Sequence, residues 1–105
     1  MGTLIAEFFG AMFFVNMLPH FIAGIQGRAF PSPFAKPPGV GMSRPAVNVL
    51  WGAANGIAAW ALLCPVAGFD GTGTAHLIAV ALGGLVMALV LSWHFGRVMR
   101  DSGHD

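Results

Sequence analysis

Charge is what this sequence has least of. Five Lys and Arg and four Asp and Glu make up 9% of its 105 residues, where a soluble domain carries about 25%. So few charged side chains cannot coat a water-facing surface, and a soluble globular fold is not expected. The net charge of +1 gives no basic footprint for nucleic acid. The single cysteine, Cys64, excludes an intramolecular disulfide and a multi-cysteine metal site; inside its apolar run it should pack as a small hydrophobe. Tyrosine is absent, so interfacial anchoring falls to Trp51, Trp60, Trp93 and the phenylalanines. There is no recognisable nucleophile–base pair, carboxylate pair or phosphate loop, so no enzyme is expected.

What is present is apolar: 56% of residues are hydrophobic and the mean hydropathy is +0.75. Glycine (15) and proline (7) are abundant, and both are commoner in membrane helices than in soluble ones. Three apolar stretches cover residues 3–25, 45–64 and 75–98. Each is roughly 20 residues, which at about 1.5 Å per residue matches a hydrocarbon core of about 30 Å. None carries the polar stripe of a surface helix. The expected fold is therefore all-α: one integral membrane domain over residues 1–105, a three-transmembrane-helix bundle. The start Met1-Gly2-Thr3 has no basic segment and the apolar run is too long for a signal peptide, so the first stretch reads as a retained span.

Residues 26–44 hold Pro31, Pro33, Pro37 and Pro38 with Arg28, Lys36 and Arg44. Proline lacks an N–H and restricts its predecessor, which predicts an extended segment along the headgroup layer, Phe30 and Phe34 dipping inward. Pro45 suits the first turn of the second helix. The second connection, around Gly68–Gly73, carries only Asp70 and reads as a turn; the last flank carries Arg97, Arg100, Asp101, His104 and Asp105. With three spans, the basic first loop and the basic C-terminal flank share a side. The positive-inside rule makes that side the cytoplasm and puts the N-terminus outside.

Small residues at i, i+4 let membrane helices approach closely. Gly2, Ala6 and Gly10 form such a ladder in the first helix, Gly52 and Gly56 a pair in the second, and Ala75, Ala79 and Gly83 a ladder in the third. At about 100° per residue, Asn16 and His20 lie within about 40° of each other on the Gly2/Ala6 side. Asn48, Trp51 and Asn55 share a face beside Gly52 and Gly56, and His94 falls near Gly83. Polar groups in lipid need protein partners, so this common face is expected to be the interior, its polar residues converging in the cytoplasmic half. Pro19 frees the carbonyl of Val15 and should kink the helix beside His20.

Asn16, Asn48 and Asn55 read first as interhelical glue and otherwise as a pocket for a quinone, a headgroup or a small solute. His20 and His94 suit a bis-histidine site by depth and facing, but without carboxylate or cysteine support no metal or resident cofactor is expected. Glu7 is the one acidic residue inside a span. It lies about 120° from the small-residue face and a turn from the helix start, which predicts an interfacial position or an oligomer contact. His76 should sit at the outer interface.

The segments Asn16-Met17-Leu18-Pro19-His20-Phe21, Phe30-Pro31-Ser32-Pro33-Phe34-Ala35-Lys36-Pro37-Pro38-Gly39-Val40-Gly41 and Asn48-Val49-Leu50-Trp51-Gly52 resemble a family of small uncharacterised bacterial multi-pass membrane proteins. The resemblance covers about the first half of the chain; it implies a bacterial inner-membrane setting and no particular chemistry. The expected role is that of a structural or accessory subunit acting through helix packing, with the bilayer and either further copies or a larger membrane complex as partners. The alternatives are an oligomeric small-solute transporter or channel, and a quinone- or haem-binding membrane protein.

Overall fold

Proline and glycine set the boundaries of three long helices in the computed structural model, which describes residues 1–101. Of the C-terminal flank, His104 and Asp105 lie outside the described residues. Helix α1 (Gly2–Ile25) runs through Pro19 and stops just before Gly27, whose φ of 72° only glycine adopts freely. Helix α2 (Pro45–Ala61) starts on a proline, and the preceding Arg44 takes the extended conformation that a following proline favours. Helix α3 spans Thr74–Asp101. All three are long and apolar enough to cross a membrane.

The second helix departs from expectation at its end. Regular helix was expected to Cys64, but Leu62–Val66 forms a wider π-helical turn containing Pro65. Proline cannot donate the bond that would continue α2, and the chain widens instead, with Ala67 donating to the Leu62 carbonyl at 3.0 Å. The change in register leaves Cys64 exposed rather than packed.

Helix α1 is central and packs along both α2 and α3, which make little direct contact with each other. Glycine sets the α1–α2 distance. A Cβ on Gly24 would lie 2.7 Å from the Pro45 carbonyl, one on Gly52 2.8 Å from the Phe21 nitrogen, and one on Gly56 2.8 Å from the Met17 sulfur. The α1–α3 approach is closest where Gly83 meets the Phe8 carbonyl, with Gly84 against Val15. Counted at about 100° per residue, Gly10, Met17, Phe21 and Gly24 form the α2 side of α1, and Phe8 and Val15 a second side about 160° away.

The small-residue ladders are only partly used. Ala6, Gly10, Gly52 and Gly83 are buried, while Gly56 and Ala79 are half-buried; Gly2 has no neighbour near its Cβ direction, and Ala75 is exposed. A step of four residues drifts about 40° around a helix, so the first and third rungs sit about 80° apart and cannot both face one partner.

Residues 26–44 are folded, not extended along a surface. Strands β1 (Phe30–Pro31) and β2 (Met42–Ser43) pair antiparallel, Phe30 opposite Ser43 and Pro31 opposite Met42. Buried Ser32 and Ser43 share a hydroxyl hydrogen bond of 2.7 Å, and the Ser32 carbonyl accepts the Gly39 amide at 2.8 Å. Phe30 turns its ring into the protein against His20 and Phe95, and Phe34 packs on Trp51. Pro31 keeps the extended backbone that proline favours, and pairing with Met42–Ser43 folds the segment back on itself. This hairpin caps one end of the molecule; the Ala67–Gly73 connection closes the other.

Candidate functional site

Three hydrogen-bonded chains meet beneath the hairpin, each anchored on a backbone carbonyl. In the first, the Asn48 amide donates to the Phe30 carbonyl at 2.9 Å and lies 3.4 Å from those of Ser43 and Arg44. Its oxygen therefore accepts, so the partner Nδ1 of His20, 2.9 Å away, must donate. In the neutral imidazole this leaves Nε2 as a bare acceptor. In the second, Asn55 donates to the Trp51 carbonyl at 2.8 Å and accepts the Asn16 amide at 2.9 Å, leaving the Asn16 Oδ1 unpaired. In the third, His94 donates from Nε2 to the Gly39 carbonyl at 2.7 Å. Gly39 has φ 73°, and a Cβ there would approach His94 Nε2 to 3.6 Å. The neutral His94 keeps a lone pair on Nδ1.

These chains surround a cavity of about 180 Å³, walled by Asn16 and His20 of α1, Trp51 of α2, His94 and Phe95 of α3, and prolines of the hairpin. On α1, Asn16 and His20 point between the α2 side and the α3 side, so the cavity fills the groove that those two helices leave open. His20 meets Phe30, Trp51 and Phe95 edge-on at 5.6, 6.4 and 5.9 Å between ring centres. The Trp51 indole N–H is buried and has no hydrogen-bond partner.

The predicted polar residues thus divide into two groups. Asn16, His20, Trp51 and His94 line the cavity; Asn48 and Asn55, 0% and 2% exposed, stand behind it and orient the others. Phe30 completes the surroundings together with Phe95, Ser32 and Ser43; the last three were not singled out by sequence, because an apolar ring and hairpin hydroxyls carry no periodic signal. The cavity is smaller than the roughly 300–1,000 Å³ of drug-sized sites. Among the described residues no three His, Cys, Asp or Glu come together as a metal site.

A second polar site lies at the opposite end and corrects the reading of Glu7. This residue is not free for an oligomer contact: it is 1% exposed, with Oε1 2.6 Å from Nδ1 of His76 on α3. The wheel assigned one interior face per helix, whereas the central α1 has two. His76 remains partly exposed beside a cavity of about 260 Å³ closed by the Ala67–Gly73 turn. In that turn Asp70 accepts the Thr72 hydroxyl at 2.6 Å and its amide at 3.0 Å. These bonds, the hydroxyl first, hold the Asp70 carboxyl below its ordinary value.

No protein-family model, curated protein or solved structure matches this chain.

Proposed function

We propose that the protein is a three-span subunit of a bacterial inner membrane that acts through helix packing, as a structural or accessory component of a homo-oligomer or larger membrane complex. The observation carrying this reading is the uneven use of the helices. Of the membrane-length window of α1, 28% is buried, against 17% for the second span and 6% for α3. The exposed side chains of α3 include Leu77, Leu82, Leu85, Leu89 and Trp93, a surface suited to lipid and further helices. Polar groups within the spans are instead largely turned on one another and on the hairpin, as glue requires.

The orientation with N-terminus outside and C-terminus in the cytoplasm is supported by charge. Arg28, Lys36, Arg44, Arg97 and Arg100 are all exposed at or near the hairpin end, and positive loops stay inside. The length of 43 Å is close to the roughly 40–45 Å of a bilayer with its headgroups. The bacterial setting rests on the sequence resemblance.

A transport role requires assembly, since Glu7 and His20 are thirteen residues, about 20 Å, apart on α1 and their polar sites close opposite ends. Native mass spectrometry of protein extracted in mild detergent tests the subunit reading. The expected result is a defined homo-oligomer or a co-purifying membrane partner. A strict monomer across detergents and concentrations overturns it.

A further inference from the structure

The cavity beneath the hairpin has an imbalance of hydrogen-bonding groups that internal packing does not explain. Three acceptors border it without a donor: Nε2 of His20, Oδ1 of Asn16 and Nδ1 of His94. Their protons and amide orientations are set from behind by carbonyls, through Asn48, Asn55 and Gly39. Against them stands one donor without an acceptor, the buried Trp51 N–H. Only the Trp51 N–H is both buried and unpartnered among the described residues; the three acceptors are open to the cavity, where a molecule that brings hydroxyl or amine protons can pair with them.

The walls narrow the class further. Trp51, Phe95 and the two imidazoles present ring faces and edges, which favour a flat aromatic guest over a flexible polyol. A volume of about 180 Å³ takes one ring with small substituents, not a fused system. On the side away from the hairpin the cavity is bordered by Leu91. If the chain spans a bilayer, as proposed above, an apolar tail on the ligand would lie on that side, toward the acyl region.

We propose that this cavity binds the hydroxylated ring of a lipid-soluble quinol, with its hydroxyls donating to His20 Nε2 and to Asn16 or His94. The reduced form is the ligand. A quinone has the same ring and tail but only acceptors, and its carbonyl oxygens would face the lone pairs of the site.

The test uses the full chain in detergent micelles with Trp60→Phe and Trp93→Phe, so that Trp51 is the only fluorophore. A decyl-substituted hydroquinone and the matching quinone are titrated, and the midpoint of the Trp51 fluorescence change is compared. The hydroquinone is expected to saturate the signal with a midpoint about tenfold below that of the quinone. His20→Leu should bring the two midpoints within about twofold. Leu91→Phe, which adds bulk to the wall and alters no polar group, should abolish saturation while helix content by circular dichroism is kept. A change that rises linearly with ligand per micelle, equal midpoints for the two forms, or full binding by Leu91→Phe overturns the proposal. None of these readouts depends on oligomeric state, so they are independent of the packing reading.

Discussion

Helix α1 is held by its two neighbours in different ways. Toward α2 the contact is distributed: Gly24, Gly52 and Gly56 keep the backbones close over most of the span, and two amide chains, Asn16–Asn55 and His20–Asn48, cross between the helices. Toward α3 the bonds are fewer. There is one backbone approach at Gly83, one ion-pair-like bond at Glu7–His76, and at the far end α3 bonds the hairpin through His94. In lipid, apolar side chains gain nothing by leaving the solvent for each other, so close packing and hydrogen bonds carry association. Both neighbours pack along α1, but by that standard α2 is bonded to it at more places than α3. Helix α3 is also the one with most surface left for partners.

The two interfaces differ most in what they tolerate at Gly83. Alanine there drives a methyl into the Phe8 carbonyl, which is backbone and cannot rotate away. Gly83→Ala should cost about 3 kcal/mol, the upper part of the overpacking range, read as a fall in the midpoint of unfolding by SDS. Gly2→Ala, at a position with open space around it, should leave that midpoint unchanged. Equal effects of the two would remove the close α1–α3 approach from the account.

Asn48→Leu probes the distributed interface and should cost about 2 kcal/mol, because it strands His20 Nδ1–H and the Phe30 carbonyl together. Asn55→Leu removes a single interhelical bond and should cost about 0.6 kcal/mol. A reversal of that order in SDS unfolding would mean that Asn48 does not tie the hairpin to α1. At the α1–α3 interface, Glu7→Leu should destabilise by about 1 kcal/mol and Glu7→Gln, which keeps an acceptor for His76, by about half as much.

The smallest effect belongs to Asp70. Its carboxyl is depressed by the Thr72 hydroxyl and amide, so the turn has its full support above the ordinary aspartate value and loses it as pH falls through the lowered one. Following the Thr72 amide proton by NMR should give a midpoint below that of a free aspartate, and Asp70→Asn should abolish the titration. The residue is solvent-exposed, so global stability should scarcely move.

Parts of this were legible in the sequence for a physical reason. Helical spacing alone puts Asn16 beside His20 and Asn48 near Asn55, because those relations are local and periodic. Periodicity does not say how many neighbours a helix has, and this is why Glu7 looked peripheral while α3 lay against it. The hairpin was hidden for a related reason: its prolines state a local preference, whereas the Ser32–Ser43 bond joins residues eleven apart. Cys64 moved outward because Pro65 converts the last turn to a π-helix, a change of register that apolar composition does not reveal. The Trp51 N–H and the three unpaired acceptors appear only once the chains behind them are traced.

The most direct test of the account is the tautomeric state of the two buried-side histidines, measured by 15N NMR of histidine-labelled protein in nanodiscs, with assignments from His20→Gln and His94→Gln. The chains anchored on Phe30 and Gly39 predict opposite neutral tautomers, Nδ1–H for His20 and Nε2–H for His94, each in a single state. Two averaged imidazoles exchanging protons with water would contradict the interior network on which the packing and the cavity both depend.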